Sequence, residues 1–294
     1  MGTGGIRSKV AKTRFEEDLN KILAEQKGVY FPIKASLHER LMKRKTSPKL
    51  LYPNPDDEFC FEKIGPNYSI ISQYEEQIKD AMRKGIPIFA EPLTVEKIRP
   101  KGYLILNGHH RWAAAMRLGI NKVPISIINL AQAADIRDML KNSANKKRAV
   151  FDLDEVLLCS PSDPYTEKAP GFPFNIRFNK TLRLGVPALF FFLKQHGYDI
   201  WVYSANYYSY DDIRALFMYY RVQVDGAITG MRKRSQAQKK MRALIAGRYE
   251  TTVHIDNDSV LVAKHGPEEY SLSGSPGDWS GEIMDIVKGF GVDE

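Results

Sequence analysis

Residues 149–156 read Ala-Val-Phe-Asp-Leu-Asp-Glu-Val, an apolar strand running into two acids two residues apart, Asp152 and Asp154. In an open parallel α/β sheet ligands bind beyond the carboxyl ends of the strands. A spacing of two sets both carboxylates on one side of an extended strand end. There they can divide labour: one attacks phosphorus, and the other protonates the leaving group and later activates water. A second apolar run, 251–255, ends in Asp256-Asn257-Asp258, and a third, Trp201-Val202-Tyr203, ends in Ser204-Ala205-Asn206. Four acids from two strand ends call for a hard, oxygen-preferring cation such as Mg²⁺, which offsets their repulsion and binds phosphate as well. The Ser204 hydroxyl and the Asn206 amide supply groups for phosphoryl oxygens.

A second constellation lies earlier. The strand expected at 103–106 leads into Asn107-Gly108-His109-His110-Arg111-Trp112-Ala113-Ala114-Ala115, which opens a helix. Glycine lets the backbone turn closely around a ligand, and a helix N-terminus offers free N–H groups with partial positive charge. Arg111 can grip a phosphate through two hydrogen bonds. Gly108, His109, His110 and Arg111 therefore form a candidate nucleotide- or phosphate-binding turn. The two histidines fit either ligand contact or orientation of the loop.

The elements that must position these groups follow from periodicity and punctuation. The spacing predicts helices over 13–26, 72–84 (Ser72 and Glu75 as a capping box, Gly85 as stop) and 111–118, with strands at 86–90, 103–106 and 123–128. The polar stretch 142–148 reads as a domain boundary. Beyond it strands at 149–153, 199–203, 225–229 and 251–255 alternate with helices at 186–196, 209–219 and 236–246, which implies a parallel sheet with helices on both faces. The expected division is a basic extension (1–47), a smaller α+β domain (48–145) and a Rossmann-like α/β domain (146–294).

A hydrophobic fraction of 43% and a charged fraction of 27% are those of a globular chain, and no apolar run reaches membrane-spanning length. Cys60 and Cys159 have neither disulfide-framework nor metal spacing, which fits a reducing, cytoplasmic setting. Of the net charge of +8, residues 1–50 carry +7, from twelve Lys/Arg against five Asp/Glu. That arm reads either as a nucleic-acid contact or as a solvated extension.

The acids and the Ser204 strand end, in this order, resemble the haloacid dehalogenase superfamily over about 149–292. The resemblance implies that Asp152 forms an aspartyl-phosphate, Asp154 is the acid/base, Ser204 binds the phosphoryl group, and Asp152, Asp154 and Asp256 hold Mg²⁺, with Asp258 supporting the metal and Asn206 and Asp258 contacting substrate. It also implies a lysine that stabilises the phospho-aspartate. Lys233, just before the Ser235 cap, is the first choice; Lys239 or Lys240 would serve if the intervening helix were short, and Lys239 otherwise falls to substrate contact. The short insertions after Asp152 and Ser204 leave no room for a large cap domain, as in the capless members.

The Gly-His-His-Arg turn, its alanine-rich helix and the Val123-Pro124 strand resemble the ParB/sulfiredoxin-like nucleotide-binding domain over about 48–130. His109 stands where sulfiredoxins need cysteine, and no helix-turn-helix follows. The nearest form is the branch containing free-serine kinases, which implies ATP or ADP as ligand and Asp56, Asp57 or Glu58 as the acid deprotonating a hydroxyl. Together the two resemblances imply a Mg-dependent phosphomonoester hydrolase coupled to a nucleotide-binding, kinase-like domain. The alternatives are a nucleic-acid-binding regulator or a polynucleotide end-processing phosphatase.

Overall fold

The computed structural model describes residues 31–61, 63–172, 180–230, 236–264 and 266–289, with 17, 21 and 175, and gives only the backbone at 236–238 and 240. The helix expected at 13–26, Lys233 and the Lys240 side chain lie outside what is described. No helix among the described residues is long and apolar enough to cross a membrane. The chain divides into two compact units, the first ending at Asn129 and the second beginning at Leu130.

The first unit runs β1 (Phe31–Pro32), α1 (Leu37–Leu41), β2 (Arg44–Thr46), β3 (Leu51–Pro53), α2 (Tyr68–Lys84), β4 (Leu93–Arg99), β5 (Tyr103–Asn107), α3 (His109–Arg117) and β6 (Val123–Ile128). Its sheet has the order β2-β6-β4-β5-β3, with β1 also on β4. The β3/β5 and β4/β6 pairs are parallel and the others antiparallel. Ile71 and Ile78 of α2 and Trp112, Ala113 and Ala114 of α3 pack on Leu93, Val95, Ile105 and Ile125 of the sheet. The small alanines let α3 lie close to the strands. The Asn67 side chain caps α2 by accepting the N–H groups of Ser69 and Ile70, so this helix starts four residues before the Ser72 expectation. It stops at Gly85, φ +66°, as the glycine implies.

The strand expected at 86–90 is not formed. Pro87 offers no N–H to a ladder, and the strand is β4 instead. Its Thr-Val-Glu-Lys-Ile-Arg sequence sets Glu96, itself buried, and Lys97 between buried Val95 and Ile98, which obscures it in a hydrophobicity reading.

The second unit runs α4 (Ala133–Lys141), β7 (Lys147–Asp152), β8 (Leu158–Cys159), β9 (Thr181–Leu182), α5 (Val186–Gln195), β10 (Tyr198–Tyr203), α6 (Tyr210–Tyr219), β11 (Gly226–Ile228), α7 (Gln236–Ala246), β12 (Thr251–Ile255), β13 (Ser259–Ala263), β14 (Pro267–Ser271) and α8 (Trp279–Gly289). The sheet order is β11-β10-β7-β12-β13-β14. The first four strands are parallel; β13 and β14 extend the edge antiparallel, which the periodicity did not indicate. One face packs Phe151 and Val202 against Phe190 of α5, Phe217 of α6 and Ile283 of α8. The other packs Val150, Trp201 and Ile228 against Ile136 of α4 and Ile245 of α7.

That second face explains why the units divide at Asn129/Leu130 rather than after 145. Ile136 is wholly buried on the second sheet, so α4 belongs to it. The polar 142–148 stretch is a loop that runs into β7 at Lys147 and is tied down at Asp199, which accepts hydrogen bonds from Ser143 Oγ and, at 2.8 Å, from Asn145 Nδ2.

Gly226 lies against the Trp201 ring, where an added Cβ would come within 2.4 Å of ring carbons. Gly226→Ala should cost about 1–3 kcal/mol through overpacking, read as a lower denaturant midpoint with an unchanged slope.

Candidate functional site

Parallel pairing sets three strand ends level. Tyr203 pairs with Asp152, and Ile255 with Phe151, so Ser204 and Asp256 emerge on either side of Asp152. Asp152 caps a single wide turn, Leu153–Leu157: its Oδ1 accepts the N–H groups of Asp154 and Glu155, each at 2.8 Å. Its Oδ2 has no protein donor among the described residues. Turns of this π type recur at functional sites. Asp152 and Asp256 line one cleft of about 440 Å³.

Asp154 is set differently. Its carboxylate accepts the hydroxyl of Ser204, the hydroxyl of Tyr208 at 2.5 Å and the Lys180 ammonium at 3.2 Å. Burial alone would raise its pKa, but the three donors together hold it below the ordinary carboxylate value. The Tyr208 phenol moves the other way, pushed up by burial and by the Asp154 charge. Ser204 is wholly buried, and its Oγ also accepts the Asn206 N–H at 2.9 Å.

The remaining expected groups lie further out. The Asn257 N–H bonds to the exposed Asp256 carboxylate at 2.7 Å, and Asp258 is exposed, with its carbonyl accepting the Leu272 N–H. Neither Asp258 nor Lys239, exposed on α7, lines the cleft. Lys180 and Tyr208 carry no sequence signal: one ends a Pro/Gly-rich stretch, and the other sits in an aromatic run before α6. Among the described residues no three His, Cys, Asp or Glu side chains gather as a metal site. The oxygen donors on hand are the adjacent Asp152 and Asp256.

In the first unit a cleft of about 620 Å³ is lined by Asp57, Tyr74, Phe89, Asn107 and the 108–111 turn. Gly108 has φ +101°, and a Cβ there would meet Leu93 Cδ2 at 2.5 Å and Arg111 at 3.0 Å, so only glycine fits. The α3 N-terminus follows directly, so the start of this helix lies at the cleft.

His109 is 4% exposed, its Nε2 accepting the Asn54 N–H at 3.1 Å and its Nδ1 lying 3.3 Å from Asp57. Accepting at Nε2 places its proton on Nδ1, directed at the Asp57 carboxylate. His110 accepts the Asn67 N–H at 3.2 Å. Both histidines thus tie the turn to preceding loops, around the Phe59 ring. Arg111 donates to the Glu91 carbonyl at 2.5 Å and lies 5.7 Å from the centre of the Phe89 ring. Of the three acids expected to act here, Asp57 lines the cleft, together with Glu91, whereas Asp56 and Glu58 are exposed and do not line it.

The family model of the ParB N-terminal domain matches residues 72–144. This stretch is ParB-like. It spans β4, β5 and β6 of the first sheet, the Gly108 turn and α4. The chain is also 29% identical over 86 residues to the ADP-dependent L-serine kinase SerK of Thermococcus kodakarensis, a match covering 28% of this chain and 35% of the kinase. The chain thus spans about a third of that relative's length. Among solved structures, a C-terminally truncated chromosome-partitioning protein ParB from Caulobacter crescentus, complexed with CTP-gamma-S, is 22% identical. It matches over 34% of this chain and 52% of that one, with a TM-score of 0.25. A free serine kinase mutant in complex with AMP is 14% identical over 84% of this chain and 82% of its own, with a TM-score of 0.23.

Burial, set partly against the charge of Asp57, lowers the His110 pKa below its ordinary 6.5. Between the folded value and 6.5 the unfolded chain binds more protons, so stability should rise with pH through that window. An NMR titration should place the His110 midpoint below 6.5, and His110→Gln should remove that part of the pH dependence.

Proposed function

We propose that this chain is a two-site phosphoryl-handling enzyme, with a nucleotide-binding first unit and a second unit that hydrolyses a phosphomonoester through Asp152. One observation carries the hydrolase reading. Asp152 and Asp256 meet at adjacent parallel strand ends while Asp154, one turn away, is held by Ser204, Tyr208 and Lys180. The arrangement supports the haloacid dehalogenase resemblance.

Asp152 Oδ2, without a protein donor, is the oxygen available for in-line attack on phosphorus, while the N–H groups of Asp154 and Glu155 hold Oδ1 and fix the carboxylate plane. The P–O bond to the alcohol breaks as the Asp152 O–P bond forms, and Asp154, having taken up a proton from solvent as the substrate binds, delivers it to the leaving oxygen. A phosphoryl group that takes the Ser204 hydroxyl removes one of the donors lowering the Asp154 pKa, which prepares it for that proton. Asp154 then accepts a proton from the water that releases phosphate from Asp152. Two carboxylates at adjacent strand ends suit Mg²⁺, which keeps several waters and takes phosphate oxygens. Asp152 and Asp256 would hold it, and when bound it supplies charge neutralisation to the phosphoryl oxygens. The stabilising lysine stays among Lys233, Lys239 and Lys240.

In the first unit the N-terminal N–H groups of α3, Arg111 and the Phe89 and Tyr74 rings suit a nucleotide, its phosphate on the helix N-terminus and its base against the rings. The serine-kinase relative supports a second activity here, transfer of a phosphoryl group to a small hydroxyl. Asp57 is the acid best placed to accept the hydroxyl proton, being oriented by His109 and lining the cleft.

Phosphate release from p-nitrophenyl phosphate should require Mg²⁺ and fall about a thousandfold or more in Asp152→Asn; release that persists in that variant would remove Asp152 as nucleophile. Tyr208→Phe and Lys180→Met each delete a donor that lowers the Asp154 pKa, so the alkaline limb of the kcat/KM profile, where the general acid Asp154 loses its proton, should move to higher pH. Calorimetry with ADP should show binding weakened about tenfold by Arg111→Gln and unaffected by Asp152→Asn.

A further inference from the structure

Arg148 lies on β7 four residues before Asp152, so Arg148, Val150 and Asp152 project from one face of the strand. Only 6% of it is exposed. Its Nε donates to Thr252 Oγ1 at 2.9 Å, one terminal nitrogen donates to the Tyr203 hydroxyl at 3.3 Å, and its guanidinium sits 5.4 Å from the centre of the Tyr249 ring. All three partners are neutral. Among the described residues no carboxylate lies within ion-pair distance of it.

A guanidinium is costly to bury without a counter-charge. Arg148 is buried, yet it is not sealed in. It lines the same cleft of about 440 Å³ as Asp152 and Asp256, together with Tyr203, His254 and Arg242. Arg242 is an exposed residue of α7, again with no carboxylate partner among the described residues. A purely structural Arg148, linking β7 to its two neighbours, would account for the bonds to Tyr203 and Thr252. It would not account for the opening to the cleft or for a second unpaired cation on the facing helix. Four residues of strand put the Arg148 and Asp152 backbones about 13 Å apart.

We propose that this cleft receives a second anionic group of the substrate, a carboxylate or a phosphate carried about 10 Å from the phosphoryl group that reaches Asp152, with Arg148 and Arg242 as its ligands. The inference rests on the phosphohydrolase reading. The favoured substrate class is therefore a small phosphomonoester with anionic groups at both ends, not a singly charged phosphate ester. A cation pair at one end of a cleft discriminates by charge against substrates that leave it empty.

The test compares kcat/KM for glucose 6-phosphate, which lacks the second anion, with 6-phosphogluconate and glucose 1,6-bisphosphate, with Mg²⁺ present and p-nitrophenyl phosphate as reference. One or both doubly anionic substrates should exceed glucose 6-phosphate by about tenfold or more, and which one does so separates carboxylate from phosphate. The ratio should fall towards one in Arg148→Gln and in Arg242→Gln. The exposed Arg242 keeps the test valid if the buried substitution fails to fold. Hydrolysis of p-nitrophenyl phosphate with no preference for the doubly anionic substrates, or a preference that Arg242→Gln leaves intact, overturns the inference alone. Failure to hydrolyse any of the four overturns the phosphohydrolase reading and the inference with it.

Discussion

Carboxylates of like charge at one sheet edge repel one another. A pair about 4 Å apart near a protein surface, at an effective dielectric near 20, repels by about 4 kcal/mol. Parallel pairing of β7 and β12 brings Asp152 and Asp256 to adjacent strand ends, because strands in register end level and present their next residues side by side. The surroundings answer residue by residue. Two backbone N–H groups meet one oxygen of Asp152, and Ser204, Tyr208 and Lys180 meet Asp154. Asp256 remains exposed to water. The wide turn after β7 serves this end, since it aims two amides at Asp152 and carries Asp154 round to the Ser204 side.

The first unit solves the opposite problem, attracting an anion without placing many fixed charges. Gly108 in a left-handed conformation brings the backbone to the cleft, and the first turn of α3 presents amide dipoles there. The paired histidines brace that turn from behind. Phe59, between His109, His110 and Trp112, joins the brace to the hydrophobic core. Packing of α3 on the sheet and geometry of the turn are thus one structural unit, which is why an alanine-rich helix follows the glycine.

Where the sequence misled, the reason was physical. Residues 86–90 have strand-like composition, but a proline interrupts them and α2 ends immediately before. The real strand, β4, carries Glu96, Lys97 and Arg99 among its buried residues and so looks like a surface segment. The polar run at 142–148 resembles a linker because its partners, notably Asp199, are more than fifty residues away. Asp258 copies the spacing of Asp154 yet faces solvent, because its strand continues into the β13 hairpin rather than into a turn that closes on the site.

Sequence alone determined which residues stand at the strand ends and at the helix start, because period, glycine placement and acid spacing are local properties. It located β7, β10 and β12, the Gly108 turn, and Asp152, Asp154, Ser204, Asp256 and Arg111. Only the tertiary structure decided their company. Lys180 and Tyr208 reach Asp154 from 26 and 54 residues away, His109 is oriented by a loop 55 residues before it, and Arg148 opens into the Asp152 cleft instead of pairing with an acid. Such contacts depend on strand order and on the direction each side chain takes from its backbone, and neither is encoded within any one segment.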